Sequence, residues 1–130
     1  MQGEAHGTFV VDLRPIGGND GPIAVMSINK TFAGDLRGSS VGQMLAFRTP
    51  MQGSAGYVAM ERVTATLAGR EGAFTLQHNG VMTRGVPELS VIVVPDSGSE
   101  GLLGLTGTLE ITISDGRHDY RLQYTLPDPK

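Results

Sequence analysis

The chain has 130 residues, of which 19 are Gly and 7 Pro, with no Cys and no Trp. Glycine is thus about 15% of the chain, roughly twice the usual share of about 7%, which excludes a long helical bundle because each interior Gly costs a helix about 1 kcal/mol; the missing Cys excludes disulfide scaffolds and Cys-ligated metal centres. A formal charge of −3 and a pI near 5.5 speak against a nucleic-acid surface, and 39% hydrophobic residues is a globular composition, not a disordered one.

The length suits a single domain over residues 1–130. The longest apolar stretch, Val91–Val94, is far short of the ~18 residues of a membrane span. Met1-Gln2-Gly3-Glu4-Ala5-His6 has neither the basic start nor the apolar core of a signal peptide. The expectation is a cytoplasmic protein with no membrane and no nucleic-acid partner.

The dominant period is two, the period of strands. Ala5, Gly7, Phe9, Val11 and Leu13 alternate with His6, Thr8, Val10, Asp12 and Arg14, giving a first strand. Pro15-Ile16-Gly17-Gly18-Asn19-Asp20-Gly21-Pro22 reads as a loop. A second strand runs from about Ala24 to Gly34, a turn follows at Asp35-Leu36-Arg37, and a third runs from about Gly38 to Thr49. After a loop from Pro50 to Gly56, a fourth strand spans about Tyr57 to Leu67. It meets a fifth, about Phe74 to Arg84, across Gly69-Arg70-Glu71-Gly72. A short sixth covers Leu89 to Val94, and Pro95 to Gly101 is the longest late loop. A seventh, Leu105 to Ile113, turns at Asp115-Gly116 into an eighth, His118 to Leu126. Asp-Gly is a strong hairpin signal, because both central residues of that turn take φ > 0. Pro127-Asp128-Pro129-Lys130 ends the sheet, since Pro cannot donate to a ladder. Eight strands with turn signals at short intervals predict an all-β sandwich or barrel.

The hairpins assign faces. With Asp115-Gly116 as a two-residue loop, Ile113 faces His118, Ile111 faces Tyr120, Leu109 faces Leu122 and Gly107 faces Tyr124, with polar residues on the opposite face. With Arg70-Glu71 as a two-residue loop, Leu67 faces Phe74, Val63 faces His78, Glu61 faces Gly80, Ala59 faces Met82 and Tyr57 faces Arg84. That face is apolar near the turn and then acquires Tyr57, Glu61, His78 and Arg84. A carboxylate on an apolar face loses hydration and needs a partner. A histidine diagonal to it, ~7–8 Å away along the sheet, can pair with it and serve as general acid or base. The plainer readings are that Glu61 pairs with Arg62, Arg48 or Arg84 at a barrel end, and that His78 is structural.

Other patterns carry less. Gly38-Ser39-Ser40-Val41-Gly42 matches G-x-S-x-G, but a strand follows it where a nucleophile elbow needs a helix. Gly98, Gly101, Gly104 and Gly107 lack the flanking strand and helix of a dinucleotide loop. Asn29-Lys30-Thr31 fits a glycosylation sequon that a cytoplasmic chain does not use. His6, His78 and His118 lie on three strands without metal-ligand spacing, so no metal is expected. Met26, Met44, Met60 and Met82 sit inside strands, where Met fills irregular apolar space. Gly7, Gly42, Gly80 and Gly107 also fall inside strands, where they permit bends and point to empty space in a lumen.

Several stretches together carry a family resemblance: Lys30-Thr31-Phe32-x-Gly34-Asp35-Leu36-x-Gly38, Gly53-Ser54-Ala55-Gly56-Tyr57-Val58-Ala59-x-Glu61-Arg62-Val63, Leu76-Gln77-His78-x-Gly80-x-Met82, Val94-Pro95-Asp96-Ser97-Gly98, and Leu103-Gly104-Leu105-Thr106-Gly107. From about Ala5 to Leu126 the chain resembles a widespread family of small bacterial proteins of unknown function with an allene-oxide-cyclase-like barrel. The resemblance implies an eight-stranded antiparallel barrel with an internal cavity, a homo-oligomer (dimer or trimer), and no established reaction. Allene oxide cyclases bind a hydrophobic epoxide in the lumen and steer its cyclisation with polar groups that include a buried glutamate. Dirigent proteins, similar in fold, steer radical coupling. Only Glu61 has a counterpart here, as a barrel-interior carboxylate, so cyclase chemistry is carried by fold analogy alone.

The sequence thus predicts a single eight-stranded antiparallel barrel, free of cofactor, whose lumen takes a small, mostly apolar molecule. Phe9, Phe32, Met44, Phe74, Met82, Tyr120 and Tyr124 are expected to shape the lumen, with Arg84 and Tyr57 binding an oxygen or carboxylate. In a cofactor-independent isomerase, cyclase or lyase, Glu61 is the candidate base or cation stabiliser and His78 or Tyr57 the proton donor. The alternatives are a non-catalytic carrier with the same lumen and a structural oligomeric barrel with a filled one.

Overall fold

The computed structural model describes residues 1–17 and 21–128. Gly18, Asn19 and Asp20 of the first loop, and Pro129 and Lys130 of the tail, lie outside the described residues. The described residues form nine strands and no helix: β1 (Gln2–Pro15), β2 (Ala24–Gly34), β3 (Leu36–Arg48), β4 (Ala55–Leu67), β5 (Arg70–Thr83), β6 (Val86–Val93), β7 (Ser99–Glu100), β8 (Thr106–Ser114) and β9 (Arg117–Thr125). No helix is therefore long and apolar enough to cross a membrane.

Eight of these strands close into an antiparallel ring. Each pairs with its chain neighbour from β1 through β6, then β6 with β8, β8 with β9, and β9 with β1. The two-residue β7, unforeseen inside the predicted late loop, pairs with Gly72 and Ala73 on β5. Closure joins the two ends of the sheet, with β6 and β8 meeting at a single pair, Ile92 and Thr108.

Alternation sets which side chains point inward. Along β4, Ala59, Glu61, Val63, Ala65 and Leu67 are buried while Val58, Met60, Arg62 and Thr64 are exposed. The barrel has two unlike halves. In one, Leu36, Leu67, Phe74, Leu76 and Leu122 are fully buried, and Leu102, Leu105 and Leu126 beyond the strands pack against them. Each such side chain stabilises the fold by about 1.5–3 kcal/mol. At the other end Leu13, Phe47, Met82, Leu89 and Ile113 are 41–67% exposed.

The β8–β9 hairpin has the expected register, with Ile113 opposite His118 and Leu109 opposite Leu122. Asp115 and Gly116 form its turn at φ of 51° and 77°. The β4–β5 register differs from expectation. The two-residue turn is Ala68-Gly69, at φ of 53° and 75°, so Leu67 pairs with Arg70 rather than Phe74. Glu61 is opposite Leu76 rather than Gly80, Ala59 opposite His78, and Tyr57 opposite Gly80. The slip is four residues along β5, an even number, so every side chain keeps its predicted face.

Of the strand glycines expected to border empty lumen, Gly80 lines the cavity, but all four lie against a facing side chain or backbone. Tyr57 is the cross-strand partner of Gly80, Tyr120 of Gly7 and Tyr124 of Gly3. A Cβ on Gly80 would lie 2.4 Å from the Tyr57 ring, and one on Gly7 2.6 Å from the Tyr120 hydroxyl oxygen. Each tyrosine thus covers the bare backbone opposite it. At Gly42 and Gly107 a Cβ would strike the backbone of the facing strand.

Candidate functional site

The inward face of four adjacent strands brings four polar side chains together. Lys30 lies between Ile28 and Phe32 on β2, Ser40 on β3, Glu61 on β4 and His78 on β5. Lys30 and Ser40 are direct cross-strand partners. Glu61 lies opposite Gly42, and His78 is diagonal to Glu61, beside Leu76. Because Gly42 has no side chain, the Glu61 carboxylate can cross β3 towards β2; a Cβ there would lie 2.9 Å from the Cβ of Glu61.

The carboxylate is the hub. Its Oε1 accepts from Lys30 Nζ at 3.0 Å and pairs with His78 Nε2 at 2.7 Å, while Oε2 accepts from Ser40 Oγ at 2.6 Å. Glu61, Lys30 and His78 are only 1%, 4% and 3% exposed. Burial alone pushes the Glu61 carboxyl up, but the His78 hydrogen bond, the Lys30 charge and the Ser40 hydroxyl outweigh it and hold the carboxyl at about 2. Lys30 Nζ also lies 4.5 Å from the Phe9 ring centroid, a cation–π contact. The Tyr57 phenol is pushed up, first by burial and then by the Glu61 charge.

A carboxyl depressed on folding stabilises the protein above its unfolded value and loses that stabilisation as pH falls towards the folded value. Glu61 therefore contributes about 3 kcal/mol above pH 4.5 that disappears between 4.5 and about 2. In urea titrations, this acid slope should be present in the wild-type chain and absent from Glu61→Gln. Parallel slopes for the two would show that Glu61 is not depressed.

Above this cluster, towards the exposed end, the barrel holds a cavity of about 430 Å³. Its walls include Phe9, Val11, Ile28, Met44, Ala46, Tyr57, Met82, Leu89 and Ile111, and Lys30 and His78 also line it. Arg48, Glu88 and His118 are the other charged or titratable groups around it. Glu61 and Ser40 do not line it, so the carboxylate supports the floor from behind. The ring nitrogen that His78 does not spend on Glu61, Nδ1, has no hydrogen-bond partner among the described residues. Among those residues no three metal-ligating side chains come together.

Of the residues predicted to form the site, Tyr57, His78, Phe9, Met44 and Met82 line this cavity, and Glu61 lies directly beneath it. The structure does not bring the others there. Phe74 is fully buried in the packed half, and Phe32 packs between Phe9 and Tyr120. The Tyr120 hydroxyl accepts from the Leu36 N–H at 2.8 Å and lies 2.9 Å from the Ala33 carbonyl, holding the β2–β3 turn. Tyr124 sits at the packed end over Gly3. Arg84 does not face Tyr57: it lies past the end of β5, exposed, at φ 45°, with its backbone N–H donating to Ser54 Oγ. Glu61 pairs with none of Arg48, Arg62 and Arg84. Its partners are the expected His78 together with Lys30 and Ser40, which the sequence reading does not single out. The available signal was a lysine at an inward position, between Ile28 and Phe32 on an apolar face.

No curated protein sequence matches the chain. A crystal structure of a DUF3224-family protein of unknown function from Shewanella oneidensis MR-1 has the same fold, with a TM-score of 0.91 and 40% sequence identity over 99% of this chain and 100% of that one. The family model described as protein of unknown function (DUF3224) matches residues 5–124. Sequence and fold agree across the barrel, and the chain belongs to the DUF3224 family.

Proposed function

We propose that the protein binds a small, mostly apolar molecule in the open half of its barrel. One observation carries this reading: a cavity of about 430 Å³ with apolar walls and two buried polar side chains, Lys30 and His78, at its floor. Binding pockets typically have about this size and this mixture, with apolar area giving affinity and a few fixed polar groups giving orientation. The neutral fluorophore prodan tests it. Binding at one site per chain, weakened at least about ten-fold when Ala46→Trp fills the cavity, supports the reading. No binding, or equal binding by the variant, overturns it.

The His78–Glu61 pair favours a second reading, a cofactor-independent isomerisation or cyclisation in the same cavity. A carboxylate that holds Nε2 as donor leaves Nδ1 as the basic nitrogen and stabilises the imidazolium formed when it takes a proton. His78 is then the acid–base group, Tyr57 a hydrogen-bond donor to a substrate oxygen, and Glu61 a positioning residue. A carrier needs only the cavity, whereas this reading needs His78→Gln to abolish turnover and leave prodan affinity within a few-fold.

A further inference from the structure

The floor of the cavity has more donors than acceptors. An ammonium group carries three N–H donors. Lys30 is 4% exposed, and its one hydrogen-bond acceptor among the described residues is Glu61 Oε1; Phe9 supplies a ring face and no oxygen. Glu61 is fully engaged below the floor by Lys30, Ser40 and His78. Lys30 lines the cavity, so a donor beyond the one given to Glu61 can be met by an oxygen on the cavity side.

We infer that the polar end of the ligand is a carboxylate seated on Lys30, and that it enters together with a proton taken up by His78. This rests on the binding reading above and names the ligand class for that site. With neutral His78, Lys30 and Glu61 cancel, and an arriving carboxylate leaves this buried floor with one net negative charge. Protonation of His78 restores neutrality, because Glu61 then sits between two cations and the carboxylate offsets the second. The 2.7 Å separation of His78 Nε2 and Glu61 Oε1 is already in the range of charge-assisted hydrogen bonds. The charged and titratable groups facing this space beside His78 are Lys30 of β2, Arg48 of β3, Tyr57 of β4, Glu88 of β6 and His118 of β9, with Glu61 of β4 beneath the floor. Apolar walls above the floor fit a hydrocarbon tail, so the ligand class is a medium-chain or aryl carboxylic acid.

Calorimetry with octanoate, octanol and octylammonium tests this on the unmodified chain. Octanoate is expected to bind at least about ten-fold tighter than octanol at about pH 6, as a charge-assisted hydrogen bond requires, and octylammonium not to bind. Repeating the octanoate titration at about pH 7.5 in buffers of different ionisation enthalpy should show uptake of a substantial fraction of a proton. In Lys30→Met the preference for octanoate over octanol should vanish, and in His78→Gln the proton uptake should vanish. Octanol binding as tightly as octanoate, or octanoate binding without proton uptake, overturns the inference while leaving the binding reading intact. Failure of prodan and all three octyl probes removes both.

Discussion

Glu61→Leu should lower the folding free energy by about 3–5 kcal/mol, because it leaves the Lys30 ammonium buried without its counter-charge. Domains of this size are stable by only about 5–15 kcal/mol, so the single variant keeps little margin. Lys30→Met is expected to lose a similar amount, since Glu61 then retains only His78 and Ser40. The double variant removes both charges and substitutes apolar side chains of similar size. It should lose only about 1–3 kcal/mol, chiefly from the orphaned His78 and Ser40 donors. Urea denaturation of the four proteins gives the coupling directly. Additive losses would mean that the two charges do not depend on each other, contrary to the geometry.

The second large effect separates the two halves of the barrel. Phe74 is fully buried opposite Val63 in the packed half. Phe74→Ala should cost about 3–5 kcal/mol, the loss for a large ring whose surroundings cannot collapse. Met82 is 42% exposed and lines the cavity. Met82→Ala should cost less than about 1 kcal/mol, because a half-exposed side chain leaves no closed void. Thermal or urea denaturation of both variants checks the contrast. Equal losses would mean that the open half is packed as tightly as the other.

The fold was legible because a period of two is a local signal. Asp115-Gly116 fixed one hairpin to the residue, since that dipeptide demands a single turn type. The Ala68-Gly69 turn was harder to see, because Ala rarely takes positive φ and the flanking Arg70-Glu71 competes as a polar turn. The error was harmless for the site, because an even slip keeps Glu61 and His78 on one face and diagonal. Lys30 was lost for a different reason. Its role depends on the registers of the β2–β3 and β3–β4 hairpins, which set Lys30 beside Ser40 and Gly42 opposite Glu61, whereas the sequence assigns faces only to the β4–β5 and β8–β9 hairpins. Arg84 erred the other way: alternation was carried past the end of β5 into a turn, where the period no longer holds. Phe74, Tyr120 and Tyr124 face inward as alternation requires. Alternation states the face but not the depth along the barrel axis, so it cannot separate the packed half from the cavity.

The pairing of β1 with β9 bears on how this ring is assembled. Gly7 meets Tyr120 and Gln2 meets Thr125, while the Met1 ammonium donates to the Leu126 carbonyl at 2.9 Å. All other ring pairings join strands that follow one another, apart from the short hop over β7. The seam therefore joins residues more than a hundred positions apart, and its loop-closure entropy is unmatched elsewhere in the barrel. Until β9 has been synthesised, β1 presents a row of unpaired amides and carbonyls, as does the far side of the growing sheet. Pairings of such high sequence separation slow folding, so the β1–β9 seam is expected to close after the local hairpins have formed.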